Sequence, residues 1–268
     1  MSRDTSPAHV TGAIPTNAAA SMWPASIACY DITLPTLAED LAFDEVLLTE
    51  TEHDPTAAVL RFWSPTEYAI VLGRSNRPEQ EARLSECLTN GIPILRRASG
   101  GGAVIVGPGC LCYSLVLPLA ESHRALGSSG ITSNLMSRTA AGLSCLLSDI
   151  QVCGTSDLVW QDRKFSGNAQ RWLRNAFIHH GTILYNFDLE QMVHYLSHPT
   201  REPTYRVSRP HGEFVTNIPV TVKDLKAAIC GAWNAIPSKV PTVFQDQATL
   251  QANSRYRSAE WQISPSVE

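Results

Sequence analysis

Charge is scarce in this chain. Asp, Glu, Lys and Arg supply 17% of its 268 residues and sum to a net charge of -4, so there is no broad basic field and general nucleic-acid affinity is excluded. No apolar run is long enough to cross a bilayer, which excludes a membrane span. Residues 1–26, rich in Ala, Ser, Thr and Pro, lack the continuous apolar stretch of a signal peptide and read as a flexible leader. Seven cysteines form an odd set without a framework, which excludes a disulfide scaffold and points to a reducing, cytoplasmic setting. No third ligand stands at zinc spacing from His179-His180, and Cys110-x-Cys112 lacks a partner pair. No metal site is expected.

What is present is enough apolar residue, 44%, for one large core. Thr36-Leu37-Ala38-Glu39 has the spacing of a capping box and predicts a helix with one apolar face over residues 37–51. Residues 57–63 and 67–73 read as a hairpin about Ser64-Pro65-Thr66. Pro78 and Gly91 bracket a second helix, and residues 92–97 form a strand. Residues 103–106 and 111–117 read as another hairpin about Pro108-Gly109. A core helix is expected over 133–147, strands over 152–161, 165–172 and 176–185, and a short helix from Asp188 through Tyr195. Residues 197–217 make a long irregular loop, and 221–233 a last amphipathic helix. This order predicts an α+β fold with a mainly antiparallel mixed sheet flanked by helices. The domain is expected over residues 27–240, followed by a weakly ordered tail over 241–268 with no C-terminal accessory domain.

Two stretches carry chemistry. In Arg96-Arg97-Ala98-Ser99-Gly100-Gly101-Gly102-Ala103, two guanidinium groups lead into three glycines, whose bare backbone can form a nest for an anion. Such a run also suits a tight connection between strands. It is neither a Walker loop nor a G-x-G-x-x-G turn. In Asp157-Leu158-Val159 and Lys164-Phe165-Ser166-Gly167-Asn168-Ala169, a lysine sits in an otherwise apolar stretch, where a buried ammonium needs an anionic partner. His179 and His180 follow on one strand and point to opposite faces, so one is expected to turn inward and hydrogen-bond.

Taken in order, Asp40-Leu41-Ala42-x-x-Glu45, Val71-x-Gly73-Arg74, the Arg-Arg to Ala103-Val104 run, Asp157-Leu158-Val159, Lys164-x-Ser166-Gly167-x-Ala169 and His179-His180-Gly181-Thr182 resemble the lipoate-protein ligases of the biotin/lipoate ligase family over residues 37–220. The resemblance implies a catalytic core like that of biotin ligases. It implies that lipoate or octanoate is activated with ATP and Mg2+ to an acyl-adenylate. The acyl group would then pass to a lysine of lipoyl domains in 2-oxoacid dehydrogenase complexes or of glycine cleavage H protein. Lys164 would be the central catalytic cation. Arg97, Ser99, Gly100, Gly101, Gly102, Ala103, Asp157, Gly167, His180 and Gly181 would bind substrate and adenylate, and Val104 and Phe165 could line the acyl tunnel. Fixed positive charge is what the chemistry wants, since a carboxylate and a phosphate must meet.

Two departures open alternatives. Val106-Gly107-Pro108-Gly109 replaces a His-Asp-Leu-Gly-like turn of many ligases. A short C-terminal part allows either a separate accessory protein or an octanoyltransferase that takes its acyl group from acyl carrier protein, with Cys153 as nucleophile. A non-catalytic lipoyl or nucleotide binder is a third reading, and biotin ligation a fourth.

Overall fold

The computed structural model describes residues 22–199 and 202–263. In chain order the elements are β1 (Ile27–Asp31), α1 (Leu37–His53), β2 (Val59–Trp63), β3 (Ala69–Leu72), α2 (Pro78–Glu81), α3 (Leu84–Thr89), β4 (Ile94–Arg96), β5 (Val104–Val106), β6 (Cys110–Pro118), α4 (Glu121–Leu143), β7 (Gln151–Cys153), β8 (Asp157–Trp160), β9 (Arg163–Trp172), β10 (Ala176–Leu184), α5 (Glu190–Tyr195), α6 (His211–Phe214), α7 (Val222–Trp233), β11 (Ala235–Pro237), α8 (Thr242–Gln251) and α9 (Ala259–Ile263). The large sheet runs β11-β1-β2-β6-β10-β9-β8-β7, and a small one runs β4-β3-β5. Pairing is parallel for β11/β1, β1/β2 and β3/β4 and antiparallel elsewhere. The expected α+β class with a mainly antiparallel mixed sheet and flanking helices is therefore what the chain forms.

Thr36 caps α1 by accepting from the Glu39 N–H while its hydroxyl donates to the Glu39 carboxylate at 2.6 Å. The helix does not have one apolar face against solvent. Glu39, Asp40, Asp44 and Glu45 are buried along with Leu41, Phe43, Leu47 and Leu48: α8 and the π-helical turn Ala252–Tyr256 cover Glu39 and Glu45, while Asp40 and Asp44 face the sheet and pair with Arg61 of β2. One core cluster joins α1, the small sheet and this C-terminal segment; the other joins α4 and α7 on the opposite side, with Leu135, Phe165, Ile229 and Trp233 at its centre.

Several expected local pairings give way to this arrangement. Residues 57–63 and 67–73 form no hairpin: β2 lies between β1 and β6, whereas β3 lies between β4 and β5. Both strands are buried along their whole length, so each needs a neighbour on either side, and local pattern does not say which. The turn about Pro108-Gly109 is real, with Cys110 N–H donating to Gly107 O at 3.1 Å and Gly109 at φ 83. It carries the chain from the small sheet into the large one instead of closing a hairpin. The expected second helix is broken into α2 and α3 at Ala82, and the strand expected over 152–161 is the β7/β8 pair.

Of the segment expected as a weakly ordered tail, residues 242–263 form α8, the π-helical turn and α9; residues 264–268 lie outside the described residues. Its anchors, Tyr256 and Trp261, are too widely spaced for a periodic signal. Of the expected leader, residues 1–21 lie outside the described residues; Trp23 is buried and stacks on His123 with ring centroids 4.6 Å apart.

Candidate active site

A cavity of about 220 Å3 opens between the two sheets. Leu41, Trp63, Val71, Val104, Val106 and Cys112 give it an apolar wall. Arg97, Gly101, Gly102, Ala103, Asp157, Lys164, Gly167, Asn168, His180 and Gly181 give it a polar one. The glycine run and the lysine stretch, more than 60 residues apart in sequence, thus meet on one hollow. Ser99, which is buried, Gly100, which is exposed, and Cys153 are not among the lining residues.

The two arginines do not converge on the cavity as two free forks. Successive strand residues point to opposite faces, and Arg96, fully buried, turns away to the carbonyls of Gly73, Arg74, Asn76, Trp261 and Gln262. Arg97 grips the glycine loop from within. Its Nη2 donates to Gly100 O at 2.6 Å and Gly102 O at 2.9 Å, its Nη1 to Val71 O at 3.1 Å, and its Nε to Ser99 Oγ at 3.0 Å. Burial brings this guanidinium down to about 10, with Glu81 opposing. In a trans peptide the N–H points opposite to the C=O. The N–H groups of Gly101 and Ala103 are therefore turned away from Arg97.

Close approach explains two of the glycines. A Cβ on Gly73 would lie 2.1 Å from Gly101 O, and Gly101 itself sits at φ +89, a region L side chains rarely occupy.

Lys164, with its side chain 28% exposed, places Nζ 2.8 Å from Asp157 Oδ1. The anionic partner expected for it is thus present. Tyr205 O–H donates to the other carboxylate oxygen at 2.8 Å, so the 3-10 turn Thr204–Arg206, in the stretch expected as irregular loop, reaches over this end of the site. Burial, then Asp157, pushes the Tyr205 phenol up and keeps it a donor. A Cβ on Gly167 would lie 2.8 Å from Lys164 Nζ; glycine there leaves room for the ammonium.

Asn168, one of the unspecified positions of the lysine motif, accepts from Tyr113 O–H at 2.6 Å and donates to Ser156 O at 2.7 Å. A Cβ on Gly181 would lie 1.9 Å from its Oδ1. A register shift in the β8/β9 pairing falls between Lys164 and Ser166, so simple alternation along β9 does not lead from Lys164 to Asn168, and the sequence pattern held no signal for it. Phe165 alternates to the other face and belongs to the α4/α7 core. It is not a tunnel residue; Val104 does line the cavity.

His179 and His180 part as expected. His179 is buried and lies 3.0 Å through Nδ1 from Gln170 Nε2. His180 lies 2.6 Å through Nε2 from Ser99 Oγ and 3.1 Å through Nδ1 from Asp44 Oδ2. Asp44 also accepts from Ser114 O–H at 2.7 Å and from Arg61 Nη1 at 2.7 Å. Arg61, at 0% exposure, pairs with Asp40 as well. His180 and Arg61 outweigh burial and hold the Asp44 carboxyl below its ordinary value; burial outweighs Arg61 at Asp40 and pushes it up to about 6. A carboxylate only accepts, so the Nδ1 of His180 that faces Asp44 is the donor of that pair. Arg61 escaped sequence reading because a lone arginine in an apolar strand carries no pattern.

Cys153 pairs in register with Asp157. Burial, then Asp157 and Asp162, pushes its thiol up, the opposite of what a thiolate nucleophile requires. Among the described residues no group of three or more His, Cys, Asp and Glu could hold a metal ion, and no helix is long and apolar enough to cross a membrane.

Comparison with known proteins agrees with this geometry. The model of the lipoyl protein ligase A/B catalytic domain matches residues 36–232. A protein of Mycoplasma pneumoniae named "Probable lipoate-protein ligase A" is 32% identical over 156 residues, 58% of this chain and 44% of that one. The chain spans about half the length of the curated relatives it matches. Among solved structures, a bipartite lipoate protein ligase from Thermoplasma acidophilum superposes with a TM-score of 0.79 at 19% identity, covering 91% of this chain and 98% of that one. A lipoate-protein ligase A bound with ATP gives 0.74 at 20% identity, covering 89% and 98%. At such identities the structural likeness carries the fold alone. With the family model matching well over half of its length, the chain belongs to the lipoyl protein ligase A/B catalytic domain family.

Proposed function

We propose that the protein is a lipoate-protein ligase that activates lipoate or octanoate with ATP and passes the acyl group to a lipoyl-domain lysine. The observation that carries this reading is that the Lys164 ammonium and the Gly101 to Ala103 backbone border one cavity with an apolar end. In the first step a carboxylate oxygen attacks the α-phosphorus of ATP, and the bond to the β-phosphate breaks to release pyrophosphate. In the second, the acceptor amine attacks the acyl carbonyl, AMP departs, and the amine loses a proton to solvent.

Lys164 neutralises the two anions as they meet. The N–H groups turned away from Arg97 hold the α-phosphate, and Leu41, Val71 and Val104 receive the acyl chain, so the catalysis is positioning and electrostatics. Arg97, in the cavity wall, and Ser99 brace the loop, and His180, tied to Ser99 and Asp44, fixes the adjoining wall. Magnesium accompanying the nucleotide would take ligands chiefly from phosphate oxygens and water, with Asp157 as the cavity carboxylate outside the Arg61 cluster.

A ligase of this kind works on lipoyl domains of 2-oxoacid dehydrogenase complexes or on glycine cleavage H protein, in the cytoplasm. The T. acidophilum ligase of similar fold is bipartite, and by analogy a separate accessory protein would complete this one. The test is to incubate the protein with apo lipoyl domain, lipoate and Mg-ATP, in parallel with octanoyl acyl carrier protein lacking ATP, and to weigh the acceptor by mass spectrometry. Modification in the first mixture alone is the expected result. Modification in the second alone would move the assignment to an octanoyltransferase, and modification in neither would leave a binding protein.

A further inference from the structure

Arg96 is a buried cation whose hydrogen bonds, among the described residues, go to main-chain carbonyls: Nε donates to Trp261 O at 2.9 Å, Nη2 to Gln262 O at 3.0 Å, and Nη1 to Gly73 O, Arg74 O and Asn76 O at 2.8–3.0 Å. Trp261 answers, its indole N–H donating to Arg96 O at 2.9 Å. The two residues, 165 positions apart, are therefore bonded in both directions. On its far side, the Arg96 fork holds the turn Gly73 to Asn76, and that turn is zipped to the glycine loop. Arg74 N–H donates to Ser99 O at 2.8 Å, and Gly73 lies so close to Gly101 O that no Cβ fits between them.

The C-terminal segment is itself pinned. Arg255 lies 3.7 Å from the Trp261 ring centroid and donates to both oxygens of Glu45 at 3.0 Å, while Tyr256 O–H and Gln251 Nε2 donate to the same carboxylate at 2.8 and 2.6 Å. Glu45 in turn pairs with Arg171. A contiguous set of contacts thus runs from α9 through Arg96 to the loop that borders the cavity, the kind of physical connection through which a remote element can set a site.

We infer that Trp261 is a positioning residue for the phosphate-binding glycine loop, acting through Arg96 and the 73–76 turn. The inference rests on the ligase reading for its kinetic consequence but not for its structural one. The loop is glycine-rich and gains its fixed shape from its surroundings, which is what preorganised electrostatics require.

The experiment compares the full-length protein with Trp261→Phe, which removes the indole N–H and keeps an aromatic ring. Hydrogen exchange of residues 97–104 is the first readout; it should quicken in the variant while residues 176–184 keep their protection. Lipoate-dependent exchange of pyrophosphate into ATP is the second. KM for ATP should rise about tenfold, the scale of one buried hydrogen bond, with KM for lipoate within about twofold. Arg255→Gln, which frees the outer face of the Trp261 ring, gives the same readouts in a milder variant should Trp261→Phe not fold. Unchanged loop exchange in a folded variant, or equal changes in both KM values, overturns the inference. Absence of pyrophosphate exchange in the wild type counts against the ligase reading instead and leaves the hydrogen-exchange result to decide this one.

Discussion

Ser99 Oγ stands 2.6 Å from His180 Nε2, whose ring partner nitrogen lies 3.1 Å from Asp44 Oδ2, so a serine, a histidine and an aspartate follow the order of a hydrolase triad. The chemistry is different. Ser99 is 2% exposed, absent from the cavity wall, and already receives the Arg97 Nε–H; a nucleophile needs a free approach that this hydroxyl lacks. Ser99→Ala should therefore retain activity within about tenfold while losing about 1–3 kcal/mol of stability, the cost of leaving buried partners unsatisfied. Acylation rates beside urea melts decide it, and a loss of activity as large as that of a Lys164 variant would return Ser99 to the reaction.

Lys164 should be the least replaceable side chain of the site. Its ammonium lines the cavity part exposed, with Asp157 at 2.8 Å, whereas Arg97 spends its donors on carbonyls and Ser99. Lys164→Met is expected to lower kcat by about 10²–10³-fold, the magnitude seen when one preorganised charge-stabilising donor is lost. Thermal melting should move little, since an ion pair with this exposure contributes about 1 kcal/mol or less. Single-turnover formation of the acyl-adenylate, followed by chromatography, separates that step from transfer.

Among the glycines the structure predicts a sharp difference. Gly73→Ala would force a methyl to 2.1 Å from Gly101 O, backbone against backbone, while Gly100→Ala meets nothing within 4 Å and sits outside the left-handed region. The first should abolish nucleotide binding and destabilise the chain by about 2 kcal/mol or more; the second should leave the melting temperature within about 1 °C. Calorimetric titration with ATP and a melting curve for each variant are sufficient.

How much of this was legible beforehand depended on the range over which each contact acts. The glycine run and the lysine stretch announce themselves locally, through residue types that few other environments want, and they do border one cavity. Arg97 shows the limit: a cation beside three glycines reads as a ligand for an anion, yet its fork closes on the carbonyls of Gly100 and Gly102. Which partner a guanidinium takes is decided in three dimensions. Helix α1 shows the same limit at the level of burial, since Glu45 looks solvated until a segment more than 200 residues later covers it. Strand pairing failed for β2 and β3 because two fully buried strands carry no alternation to fix their neighbours.

Cys153→Ser should leave activity unchanged. The thiol lies off the cavity wall, and burial with Asp157 and Asp162 pushes it up, the wrong direction for a thiolate nucleophile. Acylation of a lipoyl domain by the variant, measured beside wild type with Mg-ATP and lipoate, checks this; a complete loss would revive the acyl-transfer reading.

Acid should weaken the fold through His179. The imidazole is buried against Tyr113 and Gln170, and burial lowers it from 6.5 to about 3. A base held low in the folded state stays neutral there while the unfolded chain takes up protons. Its contribution to stability is present above pH 6.5 and is lost as pH falls toward about 3. At pH 5, about 1.5 below the ordinary value, the loss comes to about 2 kcal/mol. Asp40 acts with the opposite sign: pushed up to about 6, it favours the folded state below pH 4 and loses that advantage as pH rises toward 6, so the wild-type curve alone mixes the two. His179→Gln removes one and keeps the other. Urea melts at pH 7 and pH 5 should show the variant losing about 2 kcal/mol less than wild type between the two conditions, and equal losses would mean that His179 is protonated in the folded chain.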